Sequence, residues 1–487
     1  MAEEIQLKEL EEIRKIGFEP YPYKFDRTHF IKEIIEKYSE IKAGEKIENV
    51  KILVAGRIRS KRHHGKLSFA HIEDSSGSIQ VFIGAENVSE KEYELFSKLN
   101  IGDIIGVEGG IIKTVKGELS ILVKKLTLLS KALRTLPSQW YGLKDVEIRY
   151  RQRYVDLIMN PEVRKTFIIR TKVIDAIREF LNKKGFLEVE TPVLQPIYGG
   201  AAAKPFKTFL NELKQDVYLR TSDELYLKRL IVGGFDGIYE FAKDFRNEAI
   251  DLKHNPEFTQ VEIYKTYIDY IGVMNLFEDL MKYVAEKVLG TTQIEYQGYK
   301  IDLSKWERIT MVDAIKKYLG EDVSKMNVEE LRKISKKHKV EISDDMTRGE
   351  LINALFESVD KKIINPTILM DYPKETVPLC KSKRGNPEFV ERFEPYVCGF
   401  ELGNAYSELN DPILQRKLLE EQVKMRKKVE EPWTEALDED FIRALEYGMP
   451  PTGGIGLGVD RIVMLLTNLA SIRDVIFFPF MKPEKNQ

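Results

Sequence analysis

A chain of 487 residues exceeds what one small core organises and suits two or three domains. Its net charge of -2, with 32% charged and 43% hydrophobic residues, excludes a globally basic nucleic-acid binder, so any such surface must be a local cluster. Two cysteines, Cys380 and Cys398, and six histidines form neither a disulfide framework nor a zinc spacing. The start is too charged for a signal peptide, and no apolar run reaches the roughly 20 residues of a membrane span, so a cytoplasmic protein without a membrane partner is expected.

Leu7, Leu10 and Ile13 at helical spacing, with Pro20 and Pro22 as breakers, predict a charged N-terminal helical appendage over 1–48. From 51 to 128 the period changes to two: Ile52, Val54 and Ile58 alternate with Arg57 and Arg59. Ile79, Val81 and Ile83 alternate with Gln80 and Phe82. Five strands with one helix after the third predict a small OB-type barrel over 49–130. Arg57, Arg59, Lys61, Arg62 and Lys66 gather early in it, and Phe69 points away from Ala70 and Ile72. Basic charge with outward rings suits single-stranded bases, although a basic strand face is as often only a solvated surface.

A linker over 131–155 precedes a region, 156–487, that mixes helix and strand signals without a βαβ repeat. A helix over 162–184 places Phe167, Val173, Ile174, Ile177 and Leu181 on one side and stops at Gly185. Strands follow near 238–246, 258–267 and 393–410, with a last helix from about 460 and a helical, highly charged insertion at 307–365. The expected fold class is therefore α+β, with helices flanking an antiparallel sheet.

Side-chain alternation sorts the candidate chemistry. Phe258, Gln260, Glu262 and Tyr264 share one strand face and Thr259, Val261 and Ile263 the other, so one face is core and the other a site. Asn404, Tyr406 and Glu408 share one parity and can line one pocket. Arg246 closes a strand with Glu248 two residues on, both on one side if the strand continues. Arg461 enters the last helix after four glycines.

Three stretches resemble the signature motifs of class II aminoacyl-tRNA synthetases: residues 163–196 (VRKTFIIRTKVIDAIREFLNKKGFLEVETPVLQP), 238–264 (IYEFAKDFRNEAIDLKHNPEFTQVEIY) and 453–466 (GGIGLGVDRIVMLL). Around them ALRTLPSQWYGLKDVEIRYRQRYVDL, GGAAAKPF, ELYLKRLIVGGF, ELGNAYSELND and IRDVIFFP resemble the lysine-specific branch of that class. The resemblance runs from about residue 50 to the C-terminus. Ala249 departs from a glycine common in the second motif, and 307–365 matches no motif.

The resemblance implies an OB-fold anticodon-binding domain followed by a class II catalytic domain. It implies an ATP-dependent ligase that activates L-lysine to lysyl-adenylate, releases pyrophosphate and loads the 3' end of tRNA(Lys), as a homodimer formed through the first motif. Arg246 and Arg461 would be catalytic. Arg246, Glu248, His254, Asn255, Phe258, Glu394, Glu401 and Arg461 would bind ATP, with Phe258 and Arg461 enclosing adenine. Gly200 and Glu224 would take the α-amino group, Asn404 and Arg246 the carboxylate, and Tyr264 and Glu408 the ε-ammonium; Glu262 and Tyr406 complete the lysine site. Arg62, Phe69, Gln80 and Glu118 would read the anticodon. Mg2+ would be held by Glu394 and Glu401, whose odd spacing puts them on opposite faces of a simple strand unless the chain bulges or bends at Gly399 or Gly403. Two rival readings stay open. An aspartyl- or asparaginyl-type relative would need a cationic pocket end, so position 408 discriminates. A non-catalytic tRNA-binding paralogue would have no use for Arg246, Phe258, Glu394, Glu401 and Arg461 together.

Overall fold

The computed structural model describes residues 2–137, 143–201, 203–428 and 437–484. Ser138–Gly142 in the expected linker and Ala202 in the GGAAAKPF segment lie outside them. The chain divides into two compact units, 1–142 and 143–487, each with its own apolar core.

In the first unit, helices α1 (Ala2–Lys15) and α2 (Ile31–Tyr38) precede strands β1 (Lys46–His64), β2 (Leu67–Glu73) and β3 (Ser78–Gly84). Helix α3 (Glu90–Lys98) and strands β4 (Ile104–Lys113) and β5 (Leu119–Ser130) follow. The strands close a barrel in the order β1-β2-β3-β5-β4. Closure works because alternation sends Ile52, Val54, Ile58, Ala70, Ile72, Val81 and Ile121 inward. The N-terminal helices pack onto the barrel: Ile13, Ile31, Ile34 and Tyr38 join that same core. Helix α3 starts at a capping box in which the Ser89 hydroxyl accepts from Glu92 N and the Glu92 carboxylate accepts from Ser89 N.

The second unit begins with α4 (Val146–Arg151), α5 (Arg153–Met159) and α6 (Pro161–Lys183). Proline at the first helical position starts α6. Its buried stripe is Phe167, Val173, Ala176, Ile177, Phe180 and Leu181; Ile174 is only half-buried. Short strands β6 (Leu187–Glu188) and β7 (Leu194–Gln195) lead to the hairpin β8 (Phe206–Leu210) and β9 (Gln215–Leu219), then to α7 (Glu224–Val232). The long hairpin β10 (Gly237–Phe245) and β11 (Glu257–Thr266) is followed by α8 (Tyr270–Leu289) and the small hairpin β12 (Gln293–Tyr296) and β13 (Tyr299–Asp302). Next come β14 (Glu307–Thr310), α9 (Met311–Leu319), α10 (Val328–Lys337), α11 (Arg348–Glu357) and β15 (Thr367–Pro373). The chain closes with β16 (Phe389–Val397), β17 (Phe400–Glu401), β18 (Gly403–Ser407), α12 (Pro412–Lys428), α13 (Glu439–Glu446), β19 (Thr452–Gly458), α14 (Val459–Leu466) and α15 (Ile472–Val475).

One sheet, ordered β14-β15-β16-β18-β19-β11-β10-β6 with β17 paired to β16, dominates the unit. It is mixed rather than antiparallel, because β14 pairs parallel to β15 and β6 parallel to β10 at the two edges. Parallel neighbours need a crossover. Between β14 and β15 that crossover is made by α9, α10 and α11, so the expected insertion at 307–365 opens with an edge strand of the main sheet. Val261, Ile263, Ala405, Ile455 and Leu457 point from the central strands into the core shared with α6, α8 and α14. The opposite face is left for polar groups. Among the described residues no helix is long and apolar enough to cross a membrane.

Candidate active site

Residues directly opposite each other on antiparallel strands share a face. Pairing therefore aligns Asn404, Gly456, Glu262 and Glu240 in one row across β18, β19, β11 and β10, and Tyr406, Gly454 and Tyr264 in the next. Glycine is required between them. A Cβ on Gly456 would lie 2.3 Å from Glu262 Oε1, and one on Gly454 2.3 Å from Glu408 Oε1 and 2.5 Å from the Tyr264 ring. Above these rows opens a cavity of about 630 Å3. Gly200, Glu224, Arg246, Glu248, His254, Asn255 and Phe258 line it, together with Glu262, Tyr264, Glu401, Asn404, Tyr406, Glu408 and Arg461. Of the residues expected in the catalytic site, Glu394 alone does not line it.

One end is cationic. β10 stops at Phe245, and Arg246 N donates to Pro256 O at 2.8 Å to close the loop, so the strand does not carry Glu248 onward. The condition under which Arg246 and Glu248 would share a face, that the strand continues, is not met: Glu248 reaches the cavity from the loop, where its Oε1 accepts from Lys204 N at 3.2 Å. The Arg246 guanidinium lies 5.0 Å from the Phe258 ring centre. Arg461, in the first turn of α14, donates to Glu401 O at 2.9 Å, is 3.2 Å from Glu401 Oε1 and lies 3.4 Å from His254 Nε2. Asn255 is held by its amide donating to Glu257 O.

Glu394 and Glu401 share a face despite their odd spacing. The chain bends at Gly399 as expected: it reverses at Cys398–Gly399, both with positive φ, so that Glu401 runs back opposite Tyr396, and the returning strand then slips register by one residue between Glu401 and Ala405, a bulge around Gly403. Tyr396 and Glu394 have the same parity on β16. Both Glu394 oxygens are engaged, by Arg392 and by the hydroxyls of Tyr372 and Tyr396 at 2.6 and 2.9 Å. Burial and then the Glu394 charge push Glu401 above the ordinary carboxylate range, against Arg461 and Arg392. A raised carboxylate beside a second one fits a divalent cation, which would relieve their repulsion. Among the described residues no third His, Cys, Asp or Glu joins them, so a cation here would draw its other oxygens from a bound phosphate or water.

The other end is acidic and deep. Tyr264 donates to Glu262 Oε2 at 3.1 Å and Gln260 to Glu262 Oε1 at 3.2 Å. Burial, then Asp223, Glu224 and Asp244, push Glu262 well up. Glu408 is fully buried, and among the described residues neither of its oxygens has a hydrogen-bond partner. Its nearest charge is Lys228, Nζ to Oε2 2.6 Å. The sequence offered Lys228 only as an i,i+4 partner of Glu224. Arg392 was also unforeseen: it lines the cavity and donates to Asn404 Oδ1 at 2.9 Å, and its same-parity neighbour Glu394 was the available signal.

In the barrel unit, Phe69 faces outward, its ring 5.1 Å from that of Phe82, and pairs across the strands with exposed Arg62. Gln80 donates to Glu118 Oε2 at 2.8 Å and accepts from the Ser120 hydroxyl; His71 Nε2 lies 2.7 Å from Glu118 Oε1. The basic cluster is narrower than expected. Arg57 donates to Gly102 O, Arg59 pairs with Glu73 and Lys61 donates to Phe96, Ser97 and Leu99 carbonyls, leaving Arg62 and Lys66 exposed.

The profile of tRNA synthetases class II (D, K and N) matches residues 145–482, and that of the OB-fold nucleic acid binding domain matches 52–129. A lysine–tRNA ligase of Carboxydothermus hydrogenoformans is 52% identical over 483 residues, 98% of this chain and 97% of that protein. One of Thermoanaerobacter pseudethanolicus is 52% identical over 486 residues, 99% and 96% of the two chains. One of Thermosipho africanus is 48% identical over 482 residues, 99% and 96%.

Proposed function

Since the chain belongs to the lysine–tRNA ligases among the class II tRNA synthetases, and is thus an ATP-dependent enzyme joining lysine to tRNA, we propose that its cavity binds lysine at the Glu408 end and ATP at the Arg461 end. The single observation carrying this reading is the deep Glu408 carboxylate, buried with Lys228 at Oε2 and, among the described residues, no hydrogen-bond partner for Oε1. Lys228 is shared with Glu224, so two buried carboxylates have one cation between them, and a second cation would balance the charge. An aspartate or asparagine side chain would bring none.

In this reading Glu408 and Tyr264 hold the ε-ammonium, Glu224 and Gly200 the α-amino group with Glu262 beneath, and Asn404 beside Tyr406 the carboxylate. Arg246 bridges that carboxylate and the α-phosphate, cancelling the repulsion between two anions that must meet in line. The carboxylate oxygen forms a bond to the α-phosphorus as the bond to the pyrophosphate oxygen breaks. A hydroxyl at the tRNA 3' end then displaces AMP. Phe258 and Arg461 enclose adenine, with Glu248, His254 and Asn255 along the nucleotide. Mg2+ held by Glu401 and Glu394 would screen the phosphate charge.

The barrel supplies the tRNA-reading half: Phe69 stacks on an anticodon base, Gln80 and Glu118 read base edges and Arg62 meets the backbone. Ile168, Leu187 and Leu194 in the first-motif region are half or more exposed, which supports a homodimer through that face. The setting proposed is cytoplasmic. The test is Glu408→Gln, which should sharply weaken lysine activation while ATP binding persists. Unchanged lysine-dependent ATP–pyrophosphate exchange would refute the assignment.

A further inference from the structure

Lys228 has no place in the roles above, yet it is a fully buried cation beside the substrate cavity. It stands one helical turn beyond Glu224 on α7, and its ammonium donates to Glu224 Oε1 at 2.6 Å. The same nitrogen lies 2.6 Å from Glu408 Oε2, a residue just beyond β18. Helical spacing accounts for the first contact; only the fold supplies the second. Burial pulls the Lys228 ammonium down, but the two carboxylates outweigh it and hold it charged. With Glu408 ionised, as a bound ammonium favours, the trio carries one net negative charge, and free lysine, with two ammonium groups and one carboxylate, carries one net positive charge. The trio is not a closed structural ion pair, because Glu408 Oε1 stays without a partner among the described residues and faces Gly454 in the cavity floor.

We propose that Lys228 is a positioning residue that sets amino-acid specificity, tying Glu224 to Glu408 so that the cavity admits a substrate with two ammonium groups at one spacing. This rests on Glu224 and Glu408 receiving the α-amino and ε-ammonium groups. Without Lys228 the two carboxylates repel, separate and lose their register with the substrate. A ligand shorter by one methylene, ornithine, is then no longer set apart from lysine by the gap it leaves.

The experiment uses the full-length chain and ATP–pyrophosphate exchange with lysine and with ornithine. Lys228→Met should raise the lysine KM about tenfold or more, leave the ATP KM within about twofold and narrow the lysine-to-ornithine preference. Lys228→Gln, which keeps a donor for Glu224 without the charge, provides a second folded form and should change in the same direction. Wild-type lysine KM and preference in either folded variant would overturn the inference, as would equal loss toward ATP and lysine. Glu408→Gln separates the two levels. If it leaves lysine KM unchanged, the reading of the cavity falls; if it raises lysine KM while both Lys228 variants behave as wild type, only the role of Lys228 falls.

Discussion

Glu262 and Asn404 stand on either side of Gly456 in a single row across three strands, and the glycine is what lets them flank one space. A methyl group there would meet Glu262 Oε1 at 2.3 Å, closer than any real contact. Gly456→Ala should therefore drive Glu262 out of line and reduce lysine-dependent exchange by at least about tenfold, with a stability cost of about 1–3 kcal/mol from overpacking. Exchange kinetics and thermal denaturation measured side by side check this. A variant as active as wild type would show that Glu262 does not need its present place.

Lysine binding should release a proton. Burial pushes Glu408 up to about 8, with Lys228 opposing and Glu224 adding to the rise; Tyr264, Tyr406 and Cys380 also face it. A bound ε-ammonium favours the ionised carboxylate, so its pKa must fall on binding, and below about pH 8 the proton leaves. Lysine KM should accordingly drop as pH rises from 6.5 toward 8, by up to about tenfold per unit, and then level. Titration calorimetry in buffers of different ionisation enthalpy measures the proton directly. Uptake instead of release would contradict the pairing.

How far these features could be read beforehand follows from how local each one is. The two faces of β11 were legible, because alternation along a strand depends on nothing beyond it. The shared face of Glu394 and Glu401 was legible only as a condition, a bulge or bend at Gly399 or Gly403. It depends on a two-residue turn whose first left-handed position is filled by Cys398 instead of the glycine or asparagine that marks such turns. Lys228 was legible as a helical partner of Glu224, but Glu408 meets it only through the pairing of β18 with β19. The parallel edges of the sheet were hidden for the same reason, since strands joined across long segments leave no local signature.

Glu401→Gln should raise the Mg2+ concentration needed for half-maximal exchange. Outer-shell partners of metal sites are already worth about 10–100-fold, and a direct carboxylate ligand should exceed the lower bound. The variant should recover with excess Mg2+, and a chelator should stop wild-type exchange. Arg461 complicates the choice of site, since it also contacts the Glu401 carboxylate. The ATP KM at saturating Mg2+ separates the two effects: a purely metal-linked role leaves it near wild type. Mg2+ dependence unchanged in Glu401→Gln would remove this residue from the metal site.

Phe69→Ala tests whether the outward barrel face reads RNA. Phe69 packs only against Phe82 among the described rings, is half-buried and stands outside the barrel core of Val54, Ala70, Ile72 and Val81, so its removal should leave that core intact. Stacking of one base on an aromatic ring is worth about 1–3 kcal/mol, which converts to a rise of roughly 5- to 150-fold in the KM for tRNA. Adenylate formation needs no tRNA and should be unaffected. Aminoacylation and exchange measured on the same preparation give the answer: a selective loss of charging supports the face, whereas equal loss of both activities would mean that Phe69 serves the fold and not the anticodon.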